Sequence, residues 1–256
     1  MLLLIGLGIG PKEISVRALE ALRSCDAILI ESYTTPIPKE YIDFIGSETG
    51  KAPLPIGRSA MEEDMAETVS PARSSKLAIL VPGDPLIATT HHKVLDRARG
   101  MGISVSVFHS SSVLSSAIGE SGLDAYKFGP TATVPFWSKS YHPVSFIDTI
   151  QRNLANKQHT LVLLDLDAAT GNPMSLGDAI SLLSAADRER GHGIMGSGRK
   201  VLVLGNIGRE GQHSVYAEVS EMGSHADEFS GKVLCIVVPA EPSFAEEESI
   251  SSHAPL

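Results

Sequence analysis

Cysteine is nearly absent from this 256-residue chain, with only Cys25 and Cys235 present, so no disulfide framework holds it together. One thiol closes an expected helix and the other lies inside an apolar run, which fits reduced core positions and a cytoplasmic location. Positive charge is also short: 21 Lys and Arg face 30 Asp and Glu, for a formal net charge of −9. That balance argues against holding bare nucleic acid by phosphate neutralisation and favours a protein or small-molecule partner. No long hydrophobic run exists. The apolar opening Met1-Leu2-Leu3-Leu4-Ile5 has no basic leader and breaks at Gly6, so it reads as a buried first strand, not a signal peptide or membrane span. Aromatic residues make up 5% and tryptophan occurs once, at Trp137, which is expected to pack in a core or between lobes.

What is present is an alternation of short apolar runs with amphipathic stretches. Strands are expected at 2–5, 27–30, 77–81 and 104–108, and helices at 15–23, 59–68 and 92–99, which is the pattern of an α/β layer with a mainly parallel sheet. The second half is more mixed, with strands at 131–134, 161–166, 201–204, 215–219 and 233–238 and helices at 144–155 and 175–186. The texture changes at Ser110-Ser111-Ser112. We therefore expect an α/β lobe over 1–110, a second α/β lobe over 111–244 and a loosely held acidic tail over 245–256. The glycine- and charge-rich stretch 188–199 reads as an exposed loop.

Two motifs follow strands directly. Gly6-Leu7-Gly8-Ile9-Gly10-Pro11 invites a nucleotide reading, but its third glycine falls early and no clear ribose-binding acid follows apart from Glu31. Pro82-Gly83-Asp84-Pro85, continuing through Leu86-Ile87-Ala88-Thr89-Thr90-His91, carries more information. The prolines fix φ and Gly83 opens angles closed to other residues, so a rigid turn presents Asp84 at the carboxyl edge of the sheet, where open α/β folds bind ligands. The alternative is a turn aspartate that satisfies its own backbone. His91 and His92 are adjacent, so on a helix they diverge, and no further ligand stands at metal spacing; no metal is expected. Ser110–Ser112 lacks a nucleophile elbow, and Asp165 with Asp167 reads as a strand end and cap.

Taken together these stretches resemble the tetrapyrrole methylase superfamily and, within it, the diphthine synthase family. The wider likeness rests on Gly6 to Gly10 and Gly83-Asp84-Pro85. The narrower one rests on Gly83 through His91, on Tyr126-Lys127-Phe128-Gly129 with Ala132-Thr133-Val134, and on His159-Thr160-Leu161 running into Leu164-Asp165. Glu31, Tyr33 and Thr34 support it, and it spans about residues 1–244. The resemblance implies two α/β lobes with S-adenosyl-L-methionine in the cleft between them. The cofactor contacts it implies are Ile9, Asp84 and Ile87 from the first lobe, Ser112 and Val113 at the lobe junction, and Leu164, Ile207 and Leu234 from the second lobe. Asp84 is expected to accept hydrogen bonds from the cofactor's ribose or amino group, and no catalytic acid or base is assigned.

The resemblance further implies a cytoplasmic, homodimeric enzyme without nucleic-acid or membrane partners. Its implied activity is methylation of the amino group of 3-amino-3-carboxypropyl-histidine on elongation factor 2. A tetrapyrrole or ribosomal RNA methyltransferase of the same fold, or a non-catalytic cofactor-binding module, stands as the alternative. At its end the chain departs from the family pattern. Pro242-Ser243-Phe244-Ala245-Glu246 stands where a His-containing motif is usual, and the last helix is expected to be short.

Overall fold

The computed structural model describes residues 1–10, 12–167 and 170–254. The chain forms two compact units, Met1–Val113 and Leu114–Leu256. In the first, β1 (Leu2–Gly6), β2 (Ala27–Glu31), β3 (Leu54–Ile56), β4 (Leu77–Val81) and β5 (Val105–Phe108) build one sheet in the order β3-β2-β4-β1-β5, with every pair parallel. β1 and β4 are buried along their whole length because both faces of the sheet are covered. Leu2, Leu4 and Ile79 face one core with Met61, Val94 and Leu95, whereas Leu3, Ile5 and Leu80 face the other with Leu22 and Ile45. This two-sided burial is why the strands read as unbroken apolar runs rather than as alternations.

Helix α1 (Val16–Arg23) begins where Ser15 caps it by accepting from Ala18 N. Helix α2 (Lys39–Thr49) ends on Gly50 at φ +70°. The single helix expected over 59–68 is two short ones, α3 (Arg58–Glu62) and α4 (Met65–Val69). They part at Glu63-Asp64, where both backbone N–H groups return to Ser59 O and the Asp64 carboxylate takes the Ser59 hydroxyl. Helix α5 (His92–Gly100) leads to β5, and α6 (Val113–Glu120) follows Ser112 directly.

The second unit carries β6 (Ala132–Val134), α7 (Ser145–Ala155), β7 (Thr160–Leu164), α8 (Leu176–Arg190), β8 (Lys200–Gly205), β9 (His213–Glu218) and β10 (Leu234–Val238). Its sheet runs β6-β7-β10-β8-β9, parallel between β6 and β7 and antiparallel elsewhere. The last strand, β10, therefore lies at the centre. The expected loop at 188–199 is shorter and better anchored than its composition suggests. Helix α8 runs to Arg190, Ile194 and Met195 are buried, and the Asp187 carboxylate accepts from both of their N–H groups at 3.2 and 2.8 Å. Trp137 packs beside this core and donates from Nε1 to Pro143 O.

The stretch read as a loose acidic tail is instead a capped, packed helix, α9 (Phe244–Ser251). Ser243 and Glu246 form a reciprocal capping box, and Glu246 and Ile250 are buried. Acidic composition misled because one of these carboxylates is the buried anchor. Among the described residues no helix is long and apolar enough to cross a membrane.

Candidate functional site

The glycine loop leaves β1 and the Gly-Asp-Pro loop leaves β4, its neighbour in the sheet. The two loops join through Gly8 and Gly83, whose backbones exchange N–H···O bonds of 3.2 and 2.8 Å. Gly8 sits at φ +78°, and a Cβ there would lie 2.5 Å from Glu13 Cβ and 2.8 Å from Ser111 Oγ. A Cβ on Gly6 would lie 2.6 Å from Gly83 O and 2.9 Å from Pro85 Cδ. Glycine is thus required at both positions by close approach, and at Gly8 by backbone angle as well. Pro11 lies outside the described residues.

The third wall is the segment between β5 and α6. Ile9 N donates to Ser111 Oγ at 3.1 Å and to Glu13 Oε2 at 3.0 Å, and Ile9 O accepts from Tyr41 Oη at 2.9 Å. Ser111 also donates to Glu13. Ser112 is buried, Val113 is half-buried at the start of α6, and Ile87 is 43% exposed. Ile9, Asp84, Ile87, Ser112 and Val113 accordingly gather at the carboxyl ends of β1, β4 and β5.

Asp84 is engaged within the fold itself. Its side chain is 7% exposed, with Oδ1 accepting from Leu86 N at 2.9 Å and Oδ2 from Ser110 N at 3.3 Å and His109 Nδ1 at 2.8 Å. The carboxylate ties the Gly-Asp-Pro loop to the segment after β5. Three residues in this site escaped the sequence reading, among them Tyr41, which donates to Ile9 O. Glu13 clamps Ile9 N and Ser111, and the signal for it was an acid just past the glycine loop. His109 reaches Asp84 from the position directly after β5, and no local pattern marks it.

Behind the Gly-Asp-Pro loop lies a second polar group. His91 is 1% exposed, and its Nδ1 is 3.2 Å from Pro85 O. A carbonyl only accepts, so Nδ1 carries the proton and Nε2 keeps a lone pair, which faces Tyr33 Oη at 3.5 Å. Burial lowers the His91 pKa against the opposing pull of Glu31, the Pro85 carbonyl and Glu62. Burial, with Glu31 and Glu62, pushes the Tyr33 phenol up to about 12 against the Arg58 guanidinium. Glu31 is fully buried and accepts from Tyr33 N, Thr34 N and Thr34 Oγ1.

In the second unit, Leu164 closes β7, Leu234 opens β10 opposite Gly205, and Ile207 follows β8. Because β7 and β10 are antiparallel with Cys235 opposite Leu163, these positions lie at one end of that sheet. Leu234 and Ile207 are buried and Leu164 packs beside the core.

The motifs that carried the narrower resemblance in this unit build a latch for α9. Glu246 accepts from Lys127 Nζ at 2.5 Å, His159 Nε2 at 3.0 Å, Asp124 N at 2.9 Å and Ser243 N at 2.7 Å. His159 Nδ1 accepts from Ala240 N at 3.0 Å, which places the ring proton on Nε2 and keeps the imidazole neutral. Burial lowers the His159 pKa despite Glu246. Burial alone would raise the Glu246 carboxyl, but Lys127, Ser243, Asp124 and His159 together hold it well below the usual carboxylate range. Gly129 fits only because it has no side chain: a Cβ would lie 2.6 Å from Cγ of buried Asn153.

Among the described residues no group of His, Cys, Asp and Glu could hold a metal ion. Residues 1–223 match the family model for Tetrapyrrole (Corrin/Porphyrin) Methylases. The chain is 36% identical over 250 residues to the diphthine synthase of Methanothermobacter thermautotrophicus, covering 97% of this chain and 93% of that protein. It is 38% identical over 172 residues to the diphthine methyl ester synthase of Mus musculus, covering 65% of this chain and 59% of that one. A crystal structure of diphthine synthase superimposes with a TM-score of 0.85 at 28% identity, covering 99% of this chain and 95% of that one.

Proposed function

Because the chain belongs to the tetrapyrrole methylases and, among them, to the diphthine synthases, it is an S-adenosylmethionine-dependent methyltransferase of diphthamide biosynthesis, and we propose that its acceptor is the amino group of 3-amino-3-carboxypropyl-histidine on elongation factor 2. The observation that carries the reading is the built carboxyl edge of the first sheet. There Gly6 and Gly8 give up side chains so that the glycine loop, the Gly-Asp-Pro loop and Ser110–Ser112 can meet. The residues fit the cofactor in chemistry: an exposed apolar Ile87, and main-chain groups held by Glu13, Tyr41 and Asp84.

In this reading Ile9, Asp84, Ile87, Ser112 and Val113 hold the cofactor from the first unit, and Leu164, Ile207 and Leu234 hold it from the second. Asp84 contributes by fixing the spacing of two loops. When bound, the cofactor supplies an activated methyl group on a cationic sulfur. The protein's part is then to orient the acceptor nitrogen, exclude water and see that nitrogen deprotonated. The apolar character of most of these positions suits packing around an adenosyl group, with main-chain hydrogen bonds for orientation.

Mass spectrometry of elongation factor 2 carrying the unmethylated precursor, after incubation with this protein and S-adenosylmethionine, tests the reading. We expect methyl increments on the precursor form and none on a factor whose histidine is unmodified. The number of increments separates methylation of the amine alone from further methylation at the carboxylate, the difference between the two kinds of name its relatives bear. Label on the unmodified factor, or none on the precursor while the cofactor binds, would refute it.

A further inference from the structure

The acceptor amine is an ammonium ion at neutral pH, and it must lose a proton before it can take a methyl group. Tyr33 and His91 have the arrangement needed to receive that proton. Tyr33 stands two residues beyond the carboxyl end of β2, and β2 is paired with β4, whose loop carries Asp84. Its phenol is half-buried, whereas His91 behind it is 1% exposed, so an outside group can reach the pair only through Tyr33. The Pro85 carbonyl fixes the imidazole tautomer so that Nε2 presents its lone pair to the Tyr33 hydroxyl.

Two carboxylates offset part of what burial costs a transient positive charge at the ring. From β2 comes the buried Glu31 carboxylate, and from α3 come Glu62 and the Arg58 guanidinium, which lies 5.3 Å over the Tyr33 ring. From the loop before α5, Thr89 Oγ1 accepts from His91 N at 3.1 Å and fixes the backbone. The carboxylates stabilise an imidazolium, whereas Arg58 lowers the pKa of the Tyr33 phenol.

We propose that Tyr33 receives a proton from the acceptor ammonium while passing its own hydroxyl proton to His91 Nε2. The nitrogen keeps the electron pair of the broken N–H bond, the phenol is restored, and the imidazolium later returns its proton through the Tyr33 hydroxyl to solvent. Nothing is oxidised or reduced. This inference rests on the amine acceptor proposed above. It predicts a distinct use for each residue: Tyr33 touches the substrate, and His91 acts through it.

The test uses Tyr33→Phe, which keeps the ring beneath Arg58, and His91→Asn, whose amide keeps a donor for Pro85 O but removes the acceptor at Nε2. First-methyl transfer to precursor-bearing elongation factor 2 is followed in single turnover from about pH 6 to about pH 10, with S-adenosylmethionine affinity measured by calorimetry. General bases contribute about 10²- to 10⁴-fold, so each variant should be slower by about tenfold or more near neutrality. The deficit should shrink as pH rises past the amine's own pKa, because solvent then supplies the free amine. Cofactor affinity should stay within about twofold. A deficit independent of pH, or rates equal to wild type, overturns the relay and leaves the methyltransferase reading standing. A wild-type protein that binds cofactor but transfers nothing to the precursor overturns both.

Discussion

Replacing Glu246 with alanine should cost the second unit about 3–5 kcal/mol, the usual cost of removing one partner of a buried charge pair. The size follows from what is left behind. His159 Nε2, fully buried, and Asp124 N lose their acceptor, the Ser243 end of the α9 capping box opens, and Lys127, 30% exposed, is left without its counter-ion. Glu246→Gln keeps the shape and one acceptor oxygen, and should cost about 1–3 kcal/mol. Urea titration followed by circular dichroism reads both. The pH dependence adds a second readout. His159 has a lowered folded pKa, so its contribution is complete above its ordinary value of 6.5 and is lost as pH falls below it. Glu246 also has a lowered folded pKa, so its contribution is present above its ordinary 4.5 and is lost as pH falls from there toward the folded value. Wild-type stability should therefore drop in two acid stages, and Glu246→Gln should lack the lower one. An alanine variant within about 0.5 kcal/mol of wild type, the scatter of an ordinary surface change, would refute the anchoring role.

Three further outcomes follow from the same geometry. Gly129→Ala should destabilise by about 1–3 kcal/mol through overpacking against Asn153, and Asn153→Ala in the same chain should recover part of that loss in thermal melts. Gly8→Ala places a side chain at φ +78° against Glu13, so cofactor affinity by calorimetry should fall by about tenfold or more with the fold retained. Asp84→Ala leaves Leu86 N and Ser110 N without their carboxylate, and cofactor affinity should fall by about tenfold to a hundredfold, whereas Asp84→Asn, with one acceptor kept, should fall less.

Strands were the most legible part of the fold, since β1, β4, β7, β8 and β10 are apolar runs with both flanks covered. The start of α1 was legible too, because Ser15 is a strong local cap. Helix α2 was missed: Pro36 and Pro38 before it and Gly46 within it break the local pattern, and only tertiary burial of Tyr41 and Ile45 rewards the helix. The site divides in the same way. Its loops could be read because glycine and proline act on their own backbone. Its carboxylates could not, because partners lie far along the chain: Asp84 to His109, Glu13 to Ser111, Glu246 to Lys127 and His159. A composition of acidic residues reveals nothing about which one is spoken for.

The central place of β10 bears on how the protein is made. Every strand of the first sheet has been synthesised by Phe108, so that unit can close while the rest is still being translated. The second sheet has no such order. β7 and β8 have no direct pairing with each other, and each waits for β10, which ends only at Val238. Until then β6 with β7 and β8 with β9 are separate two-stranded ribbons, each with an open edge and too small to be stable alone. A nascent chain paused between Glu218 and Leu234 would carry a finished first unit and two incompletely paired fragments, the interval in which it most needs a chaperone's cover.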